Sequence, residues 1–196
     1  FENFILVMLV LFGLQLVDRS FGPVLPLYLG EIGYEAGEVP VMAGVLFSMW
    51  AFTAAIGNQL AGRLLKQWSP RVIIGSSALL AAAGLALFTV STGAWWLSVS
   101  LAVVGLGIGI SVTTAFAVGN AVIPKEVHAT AFGFLTGASL IGIAVSPVLS
   151  GLVAAKSIRA VFATGAVVLI VLAIAVRRVM VDRAPLGDAA PAVEES

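Results

Sequence analysis

The chain of 196 residues contains no cysteine and a single histidine. The lack of cysteine excludes disulfides, a thiolate nucleophile and thiolate metal ligands, although it does not identify the compartment. Charged residues are also scarce, at 10% of the chain against about 25% in a typical soluble domain. The formal net charge is zero, so composition gives no indication of a nucleic-acid partner.

Hydrophobic residues make up 60% of the chain, and so few charged groups could not cover such a surface in water. A bilayer is therefore the expected environment, and a spanning helix needs about 20 apolar residues. This rule predicts spans at about residues 4–29, 41–62, 72–91, 95–122, 130–153 and 160–176. The predicted fold is all-α, with a six-helix transmembrane unit at residues 1–178. The polar remainder, residues 179–196, predicts a disordered cytoplasmic tail.

Basic residues are unevenly divided between the two sets of loops that join the spans. One set holds Arg63, Lys66, Arg71, Lys125, Arg177, Arg178 and Arg183, whereas the other holds Lys156 and Arg159. Because basic loops remain in the cytoplasm, both termini are predicted to lie inside, with the protein in the plasma membrane. The chain begins with phenylalanine, so we expect a piece of a longer protein or a processed product.

An aspartate and an arginine lie side by side near the middle of the first predicted span. Ionised groups are costly in such surroundings unless they are paired or hydrated. Helical spacing places four residues on one face: Gln15, Asp18, Arg19 and Gly22. This stripe must point into the protein or into water rather than toward lipid. Helix-weakening residues lie at its end and beyond it: Gly22, Pro23 and Pro26.

A basic turn, GNQLAGRLLKQWSPRVIIG, joins the second and third predicted spans at residues 57–75. Its LAGR stretch, residues 60–63, resembles the loop pattern G-x-L-A-D-R-x-G-R-R of the major facilitator superfamily of secondary transporters, with glycine replacing aspartate. Lys66 and Arg71 supply the later basic positions. The resemblance implies a cytoplasmic gate loop containing Arg63, Lys66 and Arg71. Charge alone favours a positive-inside anchor.

The fifth predicted span contains GFLTGASLIGIAVSPVLSG, residues 133–151. It resembles the antiporter pattern G-x8-G-x3-G-P-x2-G-G of the same superfamily. The matching residues are Gly133, Gly142, Pro147 and Gly151, and two serines, Ser146 and Ser150, replace glycines. Small residues every fourth position predict close approach of another helix, and a proline permits a kink. The alternative is generic packing of small residues in a membrane helix.

The resemblance extends almost to Arg178 and is strongest for the drug:proton antiporters, judged from PVLPLYL, residues 23–29, and from the fifth span. Leu101 occupies a position where the N-terminal half of such transporters usually has arginine, which favours the C-terminal half. The resemblance implies six of twelve helices in a 3+3 repeat, working by alternating access about a central cavity. It implies a small-molecule substrate, protons, and the N-terminal half or a second copy as partners.

Asp18 is expected to bind a proton or a cationic substrate group in that cavity. Arg19 is expected to pair with it or with an acid of the absent half. The alternative is a permanent ion pair that only holds helices together, and the sequence leaves the charge state of Asp18 open. Weaker candidates for the cavity lie on the second and fourth spans: Gln59, Thr113 and Asn120.

The expected function is proton-coupled export of small amphipathic or cationic compounds. The alternatives are a proton-coupled importer of a metabolite or organic anion, and a non-transporting six-span scaffold or receptor. No nucleophile–base pair and no histidine–carboxylate cluster is evident in the sequence, so an enzyme, a metal site and a cofactor are not predicted.

Several further residues receive structural interpretations. The glycines of GLGIG, residues 105–109, lie in a charge-free span without the GxGxxG spacing, so they predict close helix packing rather than nucleotide binding. Tyr28, Trp50 and Trp68 are interpreted as anchors at the membrane interface. His128 is interpreted as a solvated loop residue.

Overall fold

A computed structural model describes residues 2–91 and 93–180, and within these ranges the regular structure is helical. The α-helices are α1 (Glu2–Arg19), α2 (Phe21–Glu31), α3 (Val39–Leu64), α4 (Pro70–Val90), α5 (Ala94–Ala121), α6 (His128–Ala154) and α7 (Ile158–Val179). A short 3₁₀ helix, Lys125–Val127, precedes α6. Nearly all of the predicted tail, residues 181–196, lies outside the described residues.

In the part of the chain that the structure describes, six apolar helical segments are long enough to cross a bilayer, which confirms the predicted all-α fold with six spans. The first span, Asn3–Glu31, consists of α1 and α2 separated by a turn at Ser20. Prolines begin α3 and α4, where their missing N–H group would have no helical partner. After α2 the chain turns at Gly33, whose φ of 102° suits glycine.

The helices pack in an arrangement that nearly repeats itself. Helix α5 lies between α3 and α4, while α1 packs against α6 and α7. In such a repeat α1 corresponds to α5, α3 to α6 and α4 to α7. The contact of α3 with α5 then corresponds to that of α6 with α1, and the contact of α4 with α5 to that of α7 with α1. Corresponding helices also contact each other, α1 with α5 and α4 with α7. This pattern is what an internal 3+3 repeat produces.

Glycines on α5 bring its backbone close to both neighbouring helices. A Cβ added to Gly107 would lie 2.8 Å from the amide nitrogen of Ala81 on α4. On the other side, a Cβ on Gly109 would lie 3.1 Å from Cα of Ala54 on α3. Lipid offers little hydrophobic driving force between helices, so such close van der Waals packing stabilises the bundle. The interpretation of these glycines as packing residues is therefore confirmed.

An aromatic cluster joins α2, α4 and α7 at the end of the bundle away from the α3–α4 turn. Tyr28 lies with its ring centroid 5.2 Å from that of Phe88 and 5.3 Å from that of Phe162. Its hydroxyl donates a 2.7 Å hydrogen bond to the Ser91 carbonyl. Tyr28 is fully buried, so its interpretation as an interface anchor is wrong. The hydroxyl finds its polar partner at the end of α4 rather than among lipid headgroups.

Changing Tyr28 to phenylalanine should lower the free energy of unfolding by about 1 kcal/mol, because the Ser91 carbonyl then loses its buried donor. Thermal unfolding in detergent measures this change. Tyr34→Phe is the matched control, since Tyr34 is only partly buried and its hydroxyl makes no hydrogen bond to the described residues. Equal melting temperatures for the two variants would show that the Tyr28 hydroxyl adds nothing.

Candidate functional site

The turn at Ser20 places a charged pair near the middle of the first span. The Arg19 Nε atom lies 3.3 Å from Asp18 Oδ2, so the pairing of these neighbours that the sequence suggested is present. Asp18 is buried, at 8% exposure, whereas about half of the Arg19 side chain is exposed. The other carboxyl oxygen, Oδ1 of Asp18, is buried and has no hydrogen-bond partner. Buried polar atoms rarely lack a hydrogen-bond partner, so this oxygen makes Asp18 a candidate for binding a proton or a ligand.

Asp18 opens onto a pocket between the first span, α3 and α5. The pocket has a volume of about 110 Å³ and is lined by Asp18, Arg19, Phe21, Gly22, Phe47, Trp50 and Leu101. Binding sites for drug-sized compounds usually measure about 300–1,000 Å³. This pocket can therefore hold one substituent of such a compound, or a few water molecules, and a larger site needs walls from outside these helices.

Trp50 is the lining residue that the sequence interpretation missed. It lies in the middle of α3, on the same face as Gly57, which packs against α5. Its Nε1 atom is buried without a hydrogen-bond partner. The interpretation of Trp50 as an interface anchor is wrong. Its position within the span was the available signal, because an interface residue should lie near a helix end.

The predicted stripe on the first span divides between two neighbours. Asp18, Arg19 and Gly22 line the pocket toward α3. Gln15 instead faces α6, where a Cβ added to Gly142 would lie 3.3 Å from the Gln15 Cβ atom. The Oε1 atom of Gln15 is buried without a hydrogen-bond partner. A single helical face thus serves both a pocket and a helix interface. Of the residues predicted to loosen the helix, Pro26 lies inside α2 and Pro23 is near its start.

The polar candidates on α3 and α5 form hydrogen bonds between helices. Thr113 Oγ1 donates a 2.9 Å bond to Asn58 Oδ1, which joins α5 to α3. Gln59 is exposed and lies on the side of α3 away from α5, and its role in the cavity stays a prediction. Its neighbour Asn58 is the residue that bonds to α5.

Asn120, the remaining candidate on α5, pairs with the first residue of α6. Its Oδ1 atom lies 2.6 Å from His128 Nε2. The His128 ring also stacks on Phe132, with centroids 6.2 Å apart. The interpretation of His128 as a solvated loop residue is therefore wrong, because the residue begins a helix and joins it to α5.

The small face of the fifth span packs against α1. Ser146 Oγ donates a 2.6 Å bond to the Leu16 carbonyl, and a Cβ on Gly142 would lie 3.2 Å from the Phe12 carbonyl carbon. Ser150, one turn further, is also buried. Two other glycines of the pattern, Gly133 and Gly151, do not contact α1, and their packing role stays a prediction. Both are exposed with no atom near an added Cβ, because they lie on other faces of α6, as does the exposed Pro147.

The basic turn between α3 and α4 reaches the end of α7. Arg71 donates a hydrogen bond from Nη2 to the Arg177 carbonyl. The last carbonyls of a helix lack helical partners and carry partial negative charge, so a guanidinium suits them. Arg63 and Lys66 are exposed on the same turn. At the opposite end of the bundle, Arg159 lies 3.9 Å from Glu31 in an exposed ion pair.

Arg71→Ala should lower the free energy of unfolding by about 1 kcal/mol, because it removes this contact between α4 and α7 at a partly exposed site. Lys66→Ala, an exposed cation of the same turn, should leave it unchanged. The melting temperatures of the two variants in detergent measure the difference. An equal change in melting temperature for both variants would show that the Arg71 contact with α7 adds no stability beyond that of any basic residue in this loop.

Among the described residues, no group of three histidines, cysteines or carboxylates is close enough to hold a metal ion. The family profile of the Major Facilitator Superfamily matches residues 4–195. The chain belongs to this superfamily. It is therefore an integral membrane protein of a family of transporters, consistent with the six spans.

Two relatives are similar to part of this chain. It is 28% identical over 146 residues to a multi-drug resistance efflux pump PmrA homolog from Lactococcus lactis, covering 72% of this chain and 36% of the relative. It is 31% identical over 130 residues to the class H tetracycline resistance protein of Pasteurella multocida. This match covers 66% of this chain and 32% of the relative. The chain thus matches about a third of the length of each relative.

Proposed function

We propose that this chain is the C-terminal six-helix half of a secondary transporter that exports small amphipathic or cationic compounds in exchange for protons. The observation that carries the proposal is Asp18, a buried carboxyl group near the middle of a membrane span that opens onto a pocket. Intramembrane ionisable groups are rare and mark ion or substrate pathways. The names of the two relatives, an efflux pump and a tetracycline resistance protein, support export.

In this proposal Asp18 carries either a proton or the cationic group of the compound, but not both. Alternating access exposes the pocket first to one side of the membrane and then to the other. Protonation of Asp18 from the acidic side releases the compound, and loss of the proton inside restores the binding site. The half-exposed Arg19 stabilises the ionised carboxylate between these steps.

The remaining walls of the site come from a partner, which we take to be the N-terminal half or a second copy. In an apolar stretch of 18 residues, 11% of the residues of α3 and 28% of those of α6 are buried within this chain, against 61% for α5. These two helices therefore have the most surface left to cover with lipid or protein. From the distribution of basic residues, both termini lie in the cytoplasm and the protein resides in the plasma membrane.

Efflux from vesicles tests the proposal. The full-length protein is reconstituted into liposomes loaded with ethidium, and dye release is followed with and without an inward proton gradient. We expect efflux that requires the gradient and stops when a protonophore collapses it. Efflux that is independent of the gradient would contradict proton coupling, and uptake against the dye gradient would contradict export.

A second candidate is import of an organic anion, favoured by the 52% exposure of the Arg19 side chain at the pocket. A guanidinium binds carboxylates through two parallel hydrogen bonds. Competition distinguishes the two functions. Ethidium efflux that organic cations inhibit and organic anions do not supports the exporter, whereas absence of ethidium efflux together with proton-driven uptake of an organic anion supports the anion carrier.

A further inference from the structure

We propose that the indole N–H group of Trp50 is the second polar contact of the Asp18 pocket, and that the compound bound there carries a hydrogen-bond acceptor close to its basic group. This inference rests on the proposed function, because it describes the substrate of the same site. It adds a specificity-determining residue on α3 to the charged pair on the first span.

The first support is the state of the indole nitrogen. Trp50 Nε1 can only donate a hydrogen bond, and it is buried without an acceptor. Asp18 Oδ1 can accept a hydrogen bond, and it is also buried without a partner. Both residues line the same pocket, so one donor and one acceptor that lack partners belong to residues of a single pocket. Buried polar atoms nearly always have partners, so a pair of exceptions in one pocket points to a ligand.

The second support is the way the protein holds Trp50 in place. Gly105 on α5 faces it, and a Cβ added there would lie 3.1 Å from Trp50 Cδ1 and 2.5 Å from Thr53 Oγ1. Helix α3 can bring the indole to the pocket only because position 105 has no side chain. The close contact between the two helices therefore holds the Trp50 ring at the pocket that Asp18 also lines.

The chemistry of the ligand follows from these groups. Asp18 suits a protonated amine, and Trp50 suits a carbonyl or hydroxyl oxygen. Phe47 and Leu101 supply apolar walls next to them. The pocket volume of about 110 Å³ fits this polar end of a compound, while the apolar body lies outside it. A planar cation without an oxygen acceptor would use Asp18 but leave the indole N–H group unpaired.

Equilibrium binding of two fluorescent cations to the detergent-solubilised full-length protein tests the inference. Doxorubicin carries an amine with carbonyl and hydroxyl oxygens, whereas ethidium has no oxygen. Trp50→Phe keeps an aromatic ring and removes the N–H donor. We expect it to weaken doxorubicin binding about three- to tenfold, as for one lost hydrogen bond, and to change ethidium binding less than about twofold. Trp95→Phe, at a 74% exposed tryptophan, is the matched control and should change neither.

A second variant moves the donor without removing it. Gly105→Ala should displace Trp50 and weaken doxorubicin binding more than ethidium binding. Its added methyl group also meets the α3 backbone, so melting temperatures are measured first, and Trp50→Phe alone decides the inference if Gly105→Ala does not fold. Equal effects on the two compounds, no effect on either, or no binding of either by the unmodified protein would overturn the inference. Binding is measured without a proton gradient, so these outcomes are separate from those of the efflux assay, which decide the proposed function.

Discussion

Asp18→Asn should reduce proton-driven ethidium efflux to the leak rate of protein-free liposomes while leaving the protein folded. Asparagine has nearly the same shape but cannot exchange a proton or balance the charge of a cation. If Asp18 carries the coupling proton, no other acidic residue in the described part of the six spans can replace it at this depth, since Glu31 lies at the end of its span. Initial efflux rates under a fixed pH gradient measure the loss.

Two variants make this result specific. Asp18→Glu retains a carboxyl group and should keep measurable gradient-dependent efflux. Glu31→Gln removes the exposed carboxylate that pairs with Arg159 and should transport like the unmodified protein. Full efflux by Asp18→Asn with an unchanged pH dependence would contradict a role in proton coupling. Asp18 would then have only a structural role, in an ion pair that holds helices together.

Gly109→Val should be among the most destabilising single changes in the bundle. Even a Cβ atom at Gly109 would lie 3.0 Å from the Ala54 carbonyl carbon and 3.1 Å from its Cα, and backbone cannot move aside as a flexible side chain can. The two helices must separate along their contact, which costs about 3 kcal/mol or more. We expect a melting temperature in detergent roughly 6–12 °C lower, or failure to fold.

Gly133→Val is the matched control for this prediction. The same substitution is made in a membrane helix, but at an exposed glycine with no atom within 4 Å of the added Cβ. It should change the free energy of unfolding by less than about 0.5 kcal/mol. Similar melting temperatures for the two variants would show that α3 and α5 do not depend on close backbone contact.

The sequence was sufficient for the all-α fold with six spans and for recognising the charged pair inside the first span, because both are properties of one helix at a time. Twenty apolar residues define a span without reference to neighbours. A charged pair inside such a span must face away from lipid whatever surrounds it. The same logic identified Gly142 and Ser146 as members of one small face, which the structure places against α1.

The sequence was insufficient to assign a residue's role where that role depends on which neighbouring helix the residue contacts. Trp50 and Tyr28 resemble interface residues by type, yet Trp50 lines an internal pocket and Tyr28 is fully buried. Gln59 and Asn58 are adjacent polar residues, and only the direction of α5 shows that Asn58 makes the bond. Gly133 fits a sequence pattern but lies on a face that no described helix covers. Helical periodicity in the sequence shows which residues share a helix face, whereas only the packed structure shows which neighbouring helix that face contacts.

The most direct test of exchange at Asp18 is proton release when a compound binds. Doxorubicin is added to the weakly buffered, detergent-solubilised full-length protein, and the pH is followed over a series of starting values. The account predicts that binding releases protons in proportion to bound compound over part of this range, and that compound bound by Asp18→Asn, at the higher concentrations this variant needs, releases none. Binding with no proton release at any starting pH, or release that persists in Asp18→Asn, would contradict it.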